Sequence, residues 1–423
     1  MVQITAKILK EKFINFFVNK KHENFINTSI LQKDDPTILF VNAGMVPFKT
    51  LFLNNSKDEY NNIVSIQKCV RLGGKKSDLH NVGKTNYHHT FFEMLGNFSF
   101  GKYFKKEAIT YAWEFLTEIL KISQRKLFVT VHTKDQESYE IWEKIIKIKK
   151  NKIIKKKMNF WEMGALGPCG FCSEIFYKKK KPVEIWNLVF IEYYRTEKKK
   201  LIKLNKKSID TGMGLERILA IIEKKKTTYE TTLFKAVRKK IKIIGKNLIK
   251  QKKTIFKILD HLRCCVVLID EKIKPASTEK GYILRKLLRL LFEYCEKLLP
   301  DCKSLTLLIS DCLNDLKNSQ ILITTPEKTI KEIITKELQL YEKNIEKSTK
   351  LIIKEIKNDQ INGESLFKLY DTYGIKIDYI KNVTKKMKIT LNMSDFQQKF
   401  TASIDKNRKI SKKKNEIYNI IEL

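Results

Sequence analysis

Apolar side chains at Ile255, Leu259, Leu262, Val266 and Ile269 recur every three or four residues, the spacing that lays one face of an α-helix on a core. Leu284, Leu287, Leu288 and Leu291 repeat the pattern. After Thr325 and Pro326, a helix-start pair, it returns at Ile330, Ile333, Ile334, Leu338, Tyr341 and Ile345. The N-terminal MVQITAKILKEKFINFF predicts an amphipathic helix with Ile4, Ile8, Phe13 and Phe16 or Phe17 near one face. It lacks the apolar run and small-residue cleavage site of a signal peptide. Between these helices, PTILFV (36–41), KLFVTVH (126–132) and VEIWNLVFIEYY (183–194) read as strands, and the Gly and Pro punctuation is concentrated before residue 235. The pattern therefore predicts an antiparallel α+β domain over 1–235, a helical domain over 236–405 and a basic, frayed tail over 406–423.

Composition changes this picture in two places. The formal charge of +37 on 423 residues invites a polyanionic partner. Lysine is spread over every segment, however, so charge alone also fits solvated surface. Arginine is more telling, because only nine of the 84 basic residues are Arg. A position that stays Arg is a candidate for a planar, bidentate fork that Lys cannot supply. Eight cysteines are scattered, with a single CxxC at Cys169 and Cys172, as in a reduced cytosolic protein. No second Cys pair or nearby His pair completes a metal site, so CGFC reads as a loop, no structural zinc is expected, and Cys264 and Cys265 read as core. No apolar run reaches membrane-spanning length.

Two stretches carry candidate chemistry. If SIDTGMG (208–214) is a strand, Asp210, Gly212 and Gly214 share one face while Ile209, Thr211 and Met213 face the core. The glycines then form a floor without side chains, beside a carboxylate. LERILAIIE continues as a helix with Arg217 in its first turn, a position the helix dipole disfavours unless an anion comes to it. A glycine bulge with a surface arginine fits the same residues. The second stretch, IQKCVRLGGKKSDLHNVGKTNYHHTFFEMLGNFSFG (66–101), reads as strand, loaded loop and strand, with Arg71 ending the first and Lys75, Lys76, His80 and Lys84 in the loop. His88, His89, Phe91, Phe92 and Glu93 open the second strand. An arginine for phosphate, paired imidazoles and an aromatic face for a base are the parts of a nucleotide site. Buried phenylalanines beside a basic turn would explain the rings but not the clustered imidazoles.

These blocks, with VNAGMVPFK, NFWEMGALGPCGFCSEIFY (159–177), EIWNLVF (184–190), DHLRC (260–264), GYILRKLLR (281–289) and GESLFKLYDTYG (363–374), occur in an order that resembles the alanyl-tRNA synthetases, a family of class II aminoacyl-tRNA synthetases. The resemblance implies a class II antiparallel catalytic sheet flanked by helices, followed by an all-helical domain that recognises a tRNA acceptor stem. It implies ATP with magnesium, L-alanine and alanine tRNA as partners. Arg71 and Arg217 would be catalytic, and ATP would touch Arg71, His89, Phe91 or Phe92, Trp161, Asn187, Val189, Gly214 and Arg217. Trp161, Asn187 and Asp210 would hold alanine, and Asp260, Ser277, Arg289 and Asp371 would meet the tRNA. Ser277 departs from the pattern, standing where similar enzymes usually carry an Asn that contacts a G·U pair; a hydroxyl lacks the amide's paired donor and acceptor. Similar enzymes also continue into editing and C-terminal domains. The expectation here is a cytosolic monomer without editing in cis that mischarges glycine and serine, since one methylene discriminates by only about 1–3 kcal/mol. Two rivals are a small-amino-acid ligase for a non-tRNA carrier and a non-catalytic RNA-binding paralogue.

Overall fold

The computed structural model describes residues 4–26, 29–32, 38–52, 61–72, 77–164, 166–246, 248–356, 360–373, 375–398 and 401. They fall into two compact units, Met1–Thr335 and Lys336–Leu423.

The first unit is built on one sheet. Its strands are β1 (Glu23–Phe25), β2 (Asn62–Val70), β3 (Phe91–Phe100), β4 (Leu127–His132), β5 (Ile153–Lys156), β6 (Phe160–Glu162), β7 (Gly167–Tyr177), β8 (Val183–Arg195) and β9 (Leu201–Gly214). They run β1-β2-β3-β9-β8-β7-β4-β5, with β6 on β7. The β1–β2 and β4–β5 pairs are parallel and the other pairings antiparallel. This is the α+β sheet the patterning predicted. The two strands of candidate chemistry are neighbours: β3 pairs with β9, Leu95 opposite Met213, and β9 pairs with β8, Asp210 opposite Val189. Alternation does the rest, burying Ile209, Thr211 and Met213 on one side of β9.

Helix α1 (Ala6–Asn19) forms where its apolar spacing predicts, with Thr5 capping the amide of Ile8. Its buried face is Ala6, Leu9, Phe13, Phe16 and Phe17, so Leu9 rather than Ile8 carries the second turn. Lys10 is buried as well, its ammonium 2.6 Å from Glu93 on β3. Ile38–Val41, expected as the end of a strand, is irregular: Val41 is held by single backbone bonds to Ile30 and Val70 and no ladder forms. The start of that run and the expected tail lie outside the described residues.

Burial sets the pH response of this part of the fold. His22, 3% exposed, has Nδ1 3.1 Å from the Phe17 carbonyl and Nε2 2.8 Å from the Tyr103 hydroxyl. Loss of hydration, only partly offset by the Lys20 and Phe17 carbonyls, pushes its pKa down to about 4. The unfolded chain titrates near 6.5, so the stability His22 confers is complete above that pH and is lost as pH falls towards 4. Urea unfolding is expected to lose ~3 kcal/mol across that window from this residue. His22→Gln should flatten the slope there; an unchanged slope would refute the assignment.

After the sheet come α2 (Lys49–Phe52), α3 (Lys105–Glu114) and α4 (Gln136–Glu140), inserted between strands, and α5 (Leu215–Ile222), which continues β9. Then follow α6 (Lys235–Ile244), α7 (Lys252–Asp270), α8 (Glu279–Leu298), α9 (Leu305–Asn318) and α10 (Glu327–Lys354). The periodicity in α7 is real but understates its burial: every residue from Ile258 to Ile269 is buried, including Asp260, His261 and Arg263. Cys264 and Cys265 are core, as read from their apolar setting. A helix enclosed on all sides belongs to an interior. In the second unit, α11 (Gly363–Asp371), α12 (Ile377–Lys386) and a two-residue parallel pairing of β10 (Gln360–Ile361) with β11 (Thr390–Leu391) surround Ile352, Leu366, Leu369 and Ile380. Among the described residues no helix is long and apolar enough to cross a membrane.

Candidate active site

A cavity of about 510 Å³ opens on one face of the sheet of the first unit. Strands β3 and β9 contribute alternate residues, Phe92 and Met94, and Asp210, Gly212 and Gly214, while β8 adds Glu184, Ile185, Asn187 and Val189 and β6 adds Phe160, Trp161 and Glu162. Arg71, beyond the end of β2, and Arg217, third residue of α5, complete it. The structure thus brings Arg71, Asp210 and Arg217 to one space.

Alternation also decides between paired candidates. Phe92 lines the cavity, whereas Phe91 is 1% exposed and lies under the Arg263 guanidinium. His88, in the irregular segment before β3, also lines the cavity. His89, the imidazole expected to touch a nucleotide, is 3% exposed, with Nε2 2.7 Å from the Thr228 hydroxyl and Nδ1 3.3 Å from Asp260. Both rings line the cavity, and His88 is the more exposed of the two. Burial, helped by the Arg217 and Arg71 guanidinia, outweighs the pull of Asp78 and lowers its pKa, keeping it neutral at neutral pH.

The two arginines are held differently. Arg71 donates from Nε to the Asn42 carbonyl at 2.9 Å and lies over the Phe92 ring at 4.9 Å. Its main-chain N–H bonds the Thr90 carbonyl at 2.9 Å, tying β2 to the start of β3. Arg217 donates to the Glu184 carbonyl at 3.0 Å and to the Glu184 carboxylate at 3.4 Å, and covers the Tyr87 ring at 4.9 Å. Glu184 is thus the anion that lets a cation sit in the first turn of α5.

The glycine floor is only half bare. A Cβ on Gly212 would stand 2.8 Å from the Met94 sulfur, which also accepts the Gly44 amide at 3.2 Å. A Cβ on Gly214 would meet only the Arg217 stem at 3.8 Å. The open shelf is therefore at the Gly214 end. Beside it, Asn187 Oδ1 is buried with no hydrogen-bond partner among the described residues, and Asp210 is 7% exposed. An unpaired buried acceptor next to a carboxylate is a place for an N–H donor.

CGFC is strand, not loop. Cys169 and Cys172 lie in β7 and both are buried, burial pushing the Cys169 thiol up to about 11. Gly170 is there because β8 comes too close for any side chain, a Cβ falling 1.8 Å from the Phe190 carbonyl oxygen. Gly170→Ala is expected to destabilise the protein by about 3 kcal/mol or more in urea unfolding, since backbone must move. A loss below about 1 kcal/mol would show that β8 is not fixed there.

The residues expected to meet RNA separate. Ser277 is exposed and Arg289 half-buried in the first unit, and Asp371 is exposed in the second. Asp260 offers nothing outward: at 2% exposure its oxygens accept the Thr90 amide and hydroxyl. Polar cavity residues not foreseen include Asp78, Tyr87, Glu162, Glu184 and Glu216. Two had a legible signal, since Glu216 adjoins Arg217 and Glu184 opens the EIWNLVF run.

Residues 8–422 match the family described as tRNA synthetases class II (A). The chain is 40% identical over 412 residues to the alanine–tRNA ligase of Idiomarina loihiensis, covering 92% of this chain and 48% of that protein. It is 39% identical over 414 residues to the enzyme of that name from Francisella tularensis subsp. novicida, and 40% over 427 residues to that of Buchnera aphidicola, at 93% and 48% coverage in both cases. The chain spans about half the length of the curated relatives it matches.

Proposed function

The chain belongs to the class II tRNA synthetases, and on that premise we propose that it activates L-alanine with ATP and transfers it to the 3′ end of alanine tRNA. The observation that carries this reading is the meeting of one carboxylate, Asp210, and two guanidinia, Arg71 and Arg217, around a single cavity with an open glycine shelf. Asp210 receives the alanine ammonium group, and Asn187 Oδ1 offers a second acceptor. Trp161 and Val189 close the space around the methyl group. Phe92 is the face for adenine, His88 contributes a neutral imidazole, and Gly214 lets the nucleotide approach the backbone.

The reaction needs no nucleophilic side chain. An alanine carboxylate oxygen attacks the α-phosphorus and pyrophosphate leaves with the electron pair of the broken P–O bond. The 3′-hydroxyl of the terminal adenosine then attacks the carbonyl carbon, and AMP leaves. Two anions must be brought together, so catalysis is alignment and charge stabilisation. Arg71 approaches the phosphates from the β2 end and Arg217 from the first turn of α5. Magnesium, if bound with the triphosphate, would supply neutralisation of phosphate charge. Such an ion takes one or two protein carboxylates beside substrate oxygens, and the cavity-lining Glu184, 35% exposed at its side chain, suits that role.

Residues 1–235 carry the proposed small-substrate contacts, and the helical part, 236–405, offers Ser277, Arg289 and Asp371 to the acceptor stem. Aminoacylation of alanine tRNA, with and without its wobble pair, tests the transfer step. Attachment of alanine to the 3′ end supports the reading; activation of alanine without any tRNA charging would favour a non-tRNA carrier.

A further inference from the structure

Helix α7 buries two charged side chains one turn apart, Asp260 and Arg263, and the reaction proposed above uses neither. Asp260 Oδ1 accepts the Thr90 amide at 2.9 Å and Oδ2 accepts the Thr90 hydroxyl at 2.5 Å and lies 3.0 Å from His261 Nδ1. Burial alone would raise its pKa, but the adjoining His261 and His89 rings outweigh that and hold it well below the usual carboxylate range. The Thr90 carbonyl in turn accepts the main-chain N–H of Arg71 at 2.9 Å. Tyr229, also beside Asp260, donates to the His88 carbonyl at 2.6 Å. The segment that enters β3 is thereby fixed from α7, one hydrogen bond from the Arg71 backbone.

Arg263 acts on the other side of the cavity. Its NH1 donates to Glu216 at 2.7 Å, its NH2 lies 3.8 Å from Glu93, and its plane rests 4.9 Å from the Phe91 ring. Glu216 also accepts the Glu93 amide at 3.3 Å and is the residue before Arg217. In a chain with nine arginines among 84 basic residues, one stands where Nη1 bonds Glu216 and Nη2 faces the Glu93 carboxylate beyond hydrogen-bond distance, two anions at one guanidinium. Buried ion pairs seldom raise net stability over an apolar packing of the same volume, so stability alone is a weak account of this one.

We propose that Asp260 and Arg263 form a clamp through which α7 sets the spacing of Arg71 and Arg217, making both of them positioning residues for the bound nucleotide. The clamp rests on the reading of the cavity as an ATP and alanine site. It assigns Asp260 to nucleotide handling rather than to contact with RNA.

The test is alanine-dependent pyrophosphate exchange without tRNA, with ATP and alanine varied separately, in Asp260→Asn and Arg263→Lys. Calorimetric titration with magnesium–ATP and thermal unfolding accompany it. A clamp predicts a KM for ATP raised about 10-fold in each variant, KM for alanine and kcat within about 3-fold, and a matching loss of ATP affinity in folded protein. Unchanged ATP affinity and KM, a fall in kcat alone, or a rise only in KM for tRNA would overturn it. If one variant fails to fold the other decides; failure of both would reduce the pair to a folding element and overturn the proposal as well. A wild-type protein that binds ATP without alanine-dependent exchange would sink the functional reading while the ATP titrations still judge the clamp, and one that binds no ATP would sink both.

Discussion

Arg71→Ala is expected to lower alanine-dependent pyrophosphate exchange by about 10²–10³-fold, the cost of removing one donor aimed at charge that develops in a transition state. The side chain is only 27% exposed, its plane set by the Phe92 ring and its Nε spent on the Asn42 carbonyl, so the remaining N–H groups face the cavity at little entropic cost. Arg71→Lys keeps the charge but loses both constraints. Its exchange should fall about 10–100-fold, through kcat more than through KM. Arg217→Lys should behave alike, because a lysine cannot donate to Glu184 while lying flat over Tyr87. Exchange within about threefold of wild type in Arg71→Ala would mean that the guanidinium meets no reacting phosphate.

The second large effect is on the amino acid. Asp210→Asn is expected to raise KM for alanine by about 30-fold or more while KM for ATP changes little. Truncating the charged partner of a buried ammonium costs about 2–5 kcal/mol. The strand geometry makes the loss local: Asp210 faces Val189 across the ladder and Asn187 faces Gly212, and the cavity's β8 carboxylate, Glu184, is already paired with Arg217. Equal weakening for ATP and alanine would point instead to a collapsed sheet.

The fold and the cavity were legible in the sequence to different depths. Strands β8 and β9 and helices α7, α8 and α10 follow from hydrophobic period, and alternation in β9 put Asp210 and the glycines on the face the structure opens. What period could not supply was the far side of each element. Asp260 sits in a motif that looks like polar surface, yet its helix is enclosed on all sides, because charged residues can be buried when partners from distant strands satisfy them. Met94 covers Gly212, a contact between β3 and β9 that only the register between strands fixes. That both His88 and His89 reach the cavity could not be counted from Phe92, because the chain leaves strand geometry before residue 91. Gly170 was misread because a glycine demanded by a neighbouring strand and a glycine in a loop look identical along the chain.

The central claim is that the Asp210, Arg71 and Arg217 cavity joins alanine to ATP. Pyrophosphate exchange by the purified 423-residue chain with each amino acid in turn tests it most directly. Exchange should be fastest with alanine, with glycine lower by about 10- to 100-fold because a single methyl group separates them. No alanine-dependent exchange, or a preference for any other amino acid, would contradict it.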